Sequence, residues 1–111
     1  MSSGDVLKQM LEKYGNDEDV KKEVASMEKT FQFAPIDGDA YFVKVSKGEV
    51  TFNEGTDNSP TATISGKEET LLNLFNGTID PVMSYMTGKI KISGDLMSAT
   101  KMTGLVKKLR K

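Results

Sequence analysis

Residues 78–109, TIDPVMSYMTGKIKISGDLMSATKMTGLVKKL, carry four structural signals in a set order, and that order constrains the fold more than any other stretch. Asp80-Pro81 predicts a helix start, because Asp caps free N–H groups and Pro suits a first helical position that needs no donor. Val82, Met83, Tyr85 and Met86 give that short helix an apolar side, and Gly88 supplies a residue that tolerates a left-handed stop. Lys89-Ile90-Lys91-Ile92-Ser93 then alternates strictly, which predicts a strand with Ile90 and Ile92 inward and the lysines in water. Gly94-Asp95 reads as a turn and a cap. Met102, Leu105, Val106 and Leu109 follow at helical spacing, so a longer last helix is expected.

The upstream chain supplies the partners. Leu7, Met10, Leu11 and Tyr14 fall on one helical face, ended by Gly15-Asn16; Asp17 is a cap for a second helix bearing Val20, Val24 and Met27. Alternation predicts strands near 29–35, 40–46, 49–53 and 61–65, joining the one at 89–93. Phe31 and Phe33 share one face of the first, and Tyr41, Val43 and Val45 one face of the second. Lys47-Gly48 is short enough for a tight hairpin, whereas EGTDNSP at 54–60 has loop chemistry throughout. Ser65-Gly66-Lys67-Glu68 fits a capping box for a helix carrying Leu71, Leu72, Leu74 and Phe75, which Asn76-Gly77 ends. Strands first and helices around a last strand indicate an α+β chain: a mixed sheet of about five strands covered on one face by helices, in one domain spanning residues 1–111.

Composition narrows the chemistry. The chain has no Cys and no His, which removes thiolate chemistry, disulfides, and the commonest general base and zinc ligand. With 15 basic against 16 acidic residues there is no basic excess of the kind that marks a nucleic-acid binder. Asp37 and Asp39, and the loop group Glu54, Asp57 and Asn58, match no calcium-loop spacing and read as turn residues; no metal or cofactor is expected. No apolar run approaches the ~20 residues a membrane span needs, and the polar N-terminus shows no signal core, so a cytoplasmic chain is expected; with many Ser and Thr but no His to activate them, a non-enzymatic one is expected too. Lys107, Lys108, Arg110 and Lys111 complement the negative end of the last helix dipole; they also suit transient docking on an anionic membrane surface.

Gly77-Thr78-Ile79-Asp80-Pro81, followed by Gly88-Lys89-Ile90-Lys91-Ile92-Ser93-Gly94-Asp95 and a final helix, resembles the C-terminal half of the sterol carrier protein type 2 domain, the non-specific lipid-transfer family. The resemblance extends over roughly residues 27–109. It implies a sterol-carrier-like fold and binding of fatty acyl, acyl-CoA or isoprenoid chains in an apolar tunnel between sheet and helices. The chain end, Leu109-Arg110-Lys111, departs from the peroxisomal signal many family members carry. The inward candidates for such a tunnel are Phe31, Phe33, Tyr41, Val43, Leu71, Leu74, Phe75, Met83, Met86, Ile92, Met102 and Leu105. Methionines suit either irregular core gaps or varied apolar ligands. A protein-interaction or dimerisation module using the same apolar surface is the alternative.

Overall fold

The structure, a computed structural model, describes residues 1–110; Lys111, one member of the expected basic cluster, lies outside the described residues. Two helices, α1 (Ser3–Tyr14) and α2 (Glu18–Val24), precede strands β1 (Lys29–Pro35), β2 (Tyr41–Ser46), β3 (Glu49–Glu54) and β4 (Ala62–Gly66). Helices α3 (Glu68–Asn76) and α4 (Pro81–Met86), strand β5 (Ile90–Gly94) and helix α5 (Leu96–Leu109) complete the chain. The strands form one mixed sheet in the order β3-β2-β1-β4-β5, with β1 and β4 parallel and every other pair antiparallel. The expected α+β, five-stranded architecture is therefore the observed one.

Alternation sets which face is buried. Phe31 and Phe33 of β1, Tyr41, Val43 and Val45 of β2, Ala62 and Ile64 of β4, and Ile90 of β5 all face the helices and are buried. Ring contacts tie this face together: Tyr41 stacks between Phe33 (centroids 5.1 Å apart) and Phe52 (5.6 Å), and Phe75 of α3 meets Phe33 edge-on at 5.5 Å. The β2–β3 connection is the expected two-residue hairpin, with positive φ at Lys47 (53°) and Gly48 (78°), a turn whose twist matches the strands. The loop after β3 runs back along the outer face of β1, which is why β4 joins β1 in parallel. It is pinned by Gln32, whose amide donates to the Tyr41 and Gly55 carbonyls (3.0 and 3.1 Å) and accepts from the Asp57 N–H (2.9 Å). A buried amide so placed holds the loop because leaving it unpaired would carry a desolvation penalty.

The start of α3 corrects one expectation. Ser65 and Gly66 stay in β4, Lys67 occupies the cap position, and no local side chain caps the helix. The acceptor comes from the β1–β2 turn instead: the Glu68 N–H donates to Asp37 at 2.8 Å. Glu68 itself reaches α1, where it accepts from the Ser3 N–H (2.7 Å) and hydroxyl (2.6 Å), and the Ser3 hydroxyl in turn meets the Tyr41 phenol at 2.7 Å. Strand pairing with β5 outcompeted the local capping box, and a tertiary cap replaced it. The other expected caps are present: Asp17, Asp80 and Asp95 each accept from an N–H of the first turn they precede.

Candidate functional site

A cavity of about 480 Å³ lies under the β1–β4–β5 side of the sheet. Its floor is Phe33, Ile64, Ile90 and Ile92, placed there by strand alternation and by the register that sets Phe33 beside Ile64 and Ile64 beside Ile92. Leu74 and Phe75 of α3 close one end. The connection 77–80 and Pro81, Val82 and Tyr85 of α4 form a side wall. The remaining wall is α5, through Leu96, Ala99, Thr100, Met102, Thr103, Val106, Lys107 and Arg110. Apart from Met102, these positions fall at i, i+3, i+4, i+7, i+10, i+11 and i+14, one face of a helix. Gly94 fixes how α5 leaves the sheet: its φ is +86°, and a Cβ there would come within 2.6 Å of the Thr61 carbonyl oxygen.

The cavity lining is apolar in the centre and polar at one rim. The hydroxyls of Thr100 and Thr103 donate to the helix carbonyls of Leu96 (3.2 Å) and Thr100 (2.6 Å), so neither leaves an unpaired donor facing the void. Asp80 is engaged as the α4 cap, accepting from the Met83 N–H at 2.9 Å. Arg110 lies over Gly77 and donates to the Leu74 carbonyl at 3.2 Å, bridging the ends of α5 and α3. Lys107 completes the cationic rim. Among the described residues no group of carboxylates could hold a metal ion, and no helix is long and apolar enough to cross a membrane.

The twelve residues proposed from the sequence separate into three groups. Phe33, Leu74, Phe75, Ile92 and Met102 line the cavity. Phe31, Tyr41, Val43, Leu71 and Leu105 are buried in the packed core away from it. Met83 and Met86 stand exposed on α4, outside the lining. Sequence reasoning missed Ile64, Ile79, Val82, Tyr85, Ile90, Leu96, Ala99 and Val106 on the wall. A signal for Ile90 was present in its alternation with Ile92. On α5 the apolar stripe Met102, Leu105, Val106 and Leu109 contains two wall residues, Met102 and Val106; the rest of that wall gave no signal, because Leu96, Ala99, Thr100, Thr103, Lys107 and Arg110 mix apolar, polar and charged side chains.

An apolar cavity between a sheet edge and three helices has the form of a small-molecule site. The chain belongs to the SCP-2 sterol transfer family, which matches residues 7–107. Lipid binding and transfer is the general class of function of that family. Sterol carrier protein 2 of Arabidopsis thaliana is 35% identical over 63 residues, covering 57% of this chain and 51% of that protein. Hydroxysteroid dehydrogenase-like protein 2 of Homo sapiens is 28% identical over 81 residues, covering 71% of this chain but 19% of that much longer protein. The chain thus matches about half the length of the plant relative and about a fifth of the human one. The solution structure of sterol carrier protein domain 2 of Helicoverpa armigera superposes with a TM-score of 0.72 at 20% identity, covering 96% of this chain and 84% of that one.

Proposed function

We propose that the chain works as one lipid-binding domain that reversibly encloses a single apolar chain, fatty acyl, acyl-CoA or isoprenoid, in the cavity under β1, β4 and β5. The observation that carries this reading is the cavity itself: about 480 Å³ of mainly apolar-walled space, within the range of small-molecule sites. Each methylene moved from water into it is worth ~0.8 kcal/mol, so a long chain gains affinity with few polar contacts and with loose specificity. The proposed wall keeps Phe33, Leu74, Phe75, Ile92 and Met102 and adds the isoleucines of β4 and β5 and the outer face of α5. Lys107 and Arg110 at the rim favour a carboxylate or phosphate head over an uncharged one. The role is carrier or substrate presenter in the cytoplasm, without chemistry of its own, exchanging cargo at anionic membranes.

Native mass spectrometry after gentle purification tests this reading. A co-purifying mass of a single-chain lipid, displaced one-for-one by a fluorescent fatty acid, is the expected result. Protein that stays lipid-free and displaces nothing would remove the carrier role. The same spectrum reads stoichiometry, and so weighs the dimerisation alternative.

A further inference from the structure

Exposed apolar side chains are not scattered on this molecule. Among the described residues, six of the eight large apolar side chains left exposed lie on α4 or the first turn of α5: Val82, Met83, Tyr85, Met86, Leu96 and Met97. Met86 is 72% and Met97 76% exposed, values that a side chain contributing to the core does not show. Val82, Tyr85 and Leu96 belong at once to this patch and to the cavity wall, so the cavity opens through it. An apolar patch of this kind marks a surface with an occupant.

Charge identifies the occupant. Residues 81–111 hold seven Lys or Arg and one Asp, whereas residues 1–80 hold eight Lys or Arg and fifteen Asp or Glu. The near-neutral total therefore hides a basic final third. Lys89 is exposed directly after α4, and exposed Lys101 stands one helical turn beyond Met97 on α5. The acidic groups here, Asp80 and Asp95, are held by their own helix amides, Asp80 by Met83 and Asp95 by Met97 and the Ser98 hydroxyl. A second copy of the chain would bring this positive surface against itself in a two-fold contact, which like-charge repulsion opposes. An anionic lipid surface meets both features: phosphates for the lysines, and an acyl boundary for flexible methionines.

We propose that α4 and the first turn of α5 form the face that docks on an anionic phospholipid bilayer, turning the cavity mouth toward the acyl chains. The inference rests on the lipid-carrier reading and adds to it the route of entry. It also moves the membrane contact from the chain end to the middle of the final third. Since the protein has no Trp, single tryptophans report immersion directly. Met97→Trp should blue-shift on phosphatidylcholine vesicles containing phosphatidylglycerol, and Thr51→Trp, on the opposite edge strand, should not. Met86→Glu/Met97→Glu should bind these vesicles at least about tenfold more weakly while displacing a fluorescent fatty acid normally in vesicle-free buffer. Raising salt from about 0.1 M to about 0.5 M should weaken wild-type binding comparably. A blue shift at Thr51→Trp instead, or unchanged vesicle binding by the double variant, would overturn the assignment. A wild-type dimer abolished by the double variant, without vesicle binding, would reassign the face to self-association. Failure of wild-type fatty-acid displacement with intact docking would sink the carrier reading alone; the converse would sink the docking face alone.

Discussion

The two halves of the sheet bury similar residues and end differently. Under β2 and β3, Leu7 and Leu11 of α1 and Val20 and Val24 of α2 join Val43, Val45 and Phe52 in one packed apolar cluster. Under β4 and β5, α5 presents Ala99, Thr100 and Thr103, while α4 is only six residues long. No residue of α1, α2, β2 or β3 lines the cavity. Small side chains on a helix and a short helix beside it do not reach the sheet edge, and the volume left over is the void. A hollow half is kept open only if the solid half supplies the stability, since apolar burial is the dominant favourable term.

That contrast is breakable by substitution. The largest effect is expected from Leu7→Ala, a fully buried side chain of the solid half: a loss of about 2–5 kcal/mol in chemical denaturation. Leu96→Ala, at the cavity mouth and 46% exposed, should leave stability within about 0.5 kcal/mol. Equal losses would show that the halves do not divide the work. Next comes a pair on α5 itself. Leu105→Phe adds volume to a closed core and should destabilise by about 1–3 kcal/mol without altering fatty-acid affinity per folded molecule. Met102→Trp sends its ring into the cavity, so thermal unfolding should shift less while displacement of a fluorescent fatty acid weakens several-fold. The reverse pattern would place the void on the wrong face of α5.

Two smaller effects sharpen the comparison by pH. Burial, the largest cause, pushes the Tyr41 phenol well above its ordinary value of 10.0. The folded state therefore holds this proton more tightly than the unfolded chain. The resulting stability is complete below pH 10 and is lost as pH rises toward the folded value. Tyr41→Phe should remove that alkaline slope in the solid half and, through the hydrogen bond to Ser3, cost about 0.5–1.5 kcal/mol at neutral pH. The smallest effect belongs to Asp95, at the entrance of α5. The hydrogen bond from the Ser98 hydroxyl, with backbone N–H bonds from Ser98 and Met97, holds its carboxyl below the ordinary 3.8. Its contribution is present above that value and is lost as pH falls through the lower folded one. Asp95→Asn should flatten this part of the acid limb, read by circular dichroism at stepped pH.

Much of this architecture is legible in the residue order. Strand alternation in 29–35, 40–46 and 89–93 and the caps at Asp17, Asp80 and Asp95 are local effects, decided by residues within one turn or one pleat of each other. The capping box at Ser65 failed because pairing with β5 holds Ser65 and Gly66 in the sheet. The cavity was partly legible: side-chain polarity separates inside from outside but does not separate a filled interior from a hollow one. Met102 and Leu105 are three positions apart on one stripe, and only Met102 borders the void.

Residue order alone was enough to set the element types, their sequence and the inward face of each strand, because these follow from backbone sterics and the periods of helix and strand. The parallel pairing of β1 with β4, the Gln32 clamp and the Asp37 cap depend on groups many residues apart. So do the void and its basic, apolar mouth. They arise from how much volume three helices bring to one sheet edge, and that sum exists only once the chain has closed on itself.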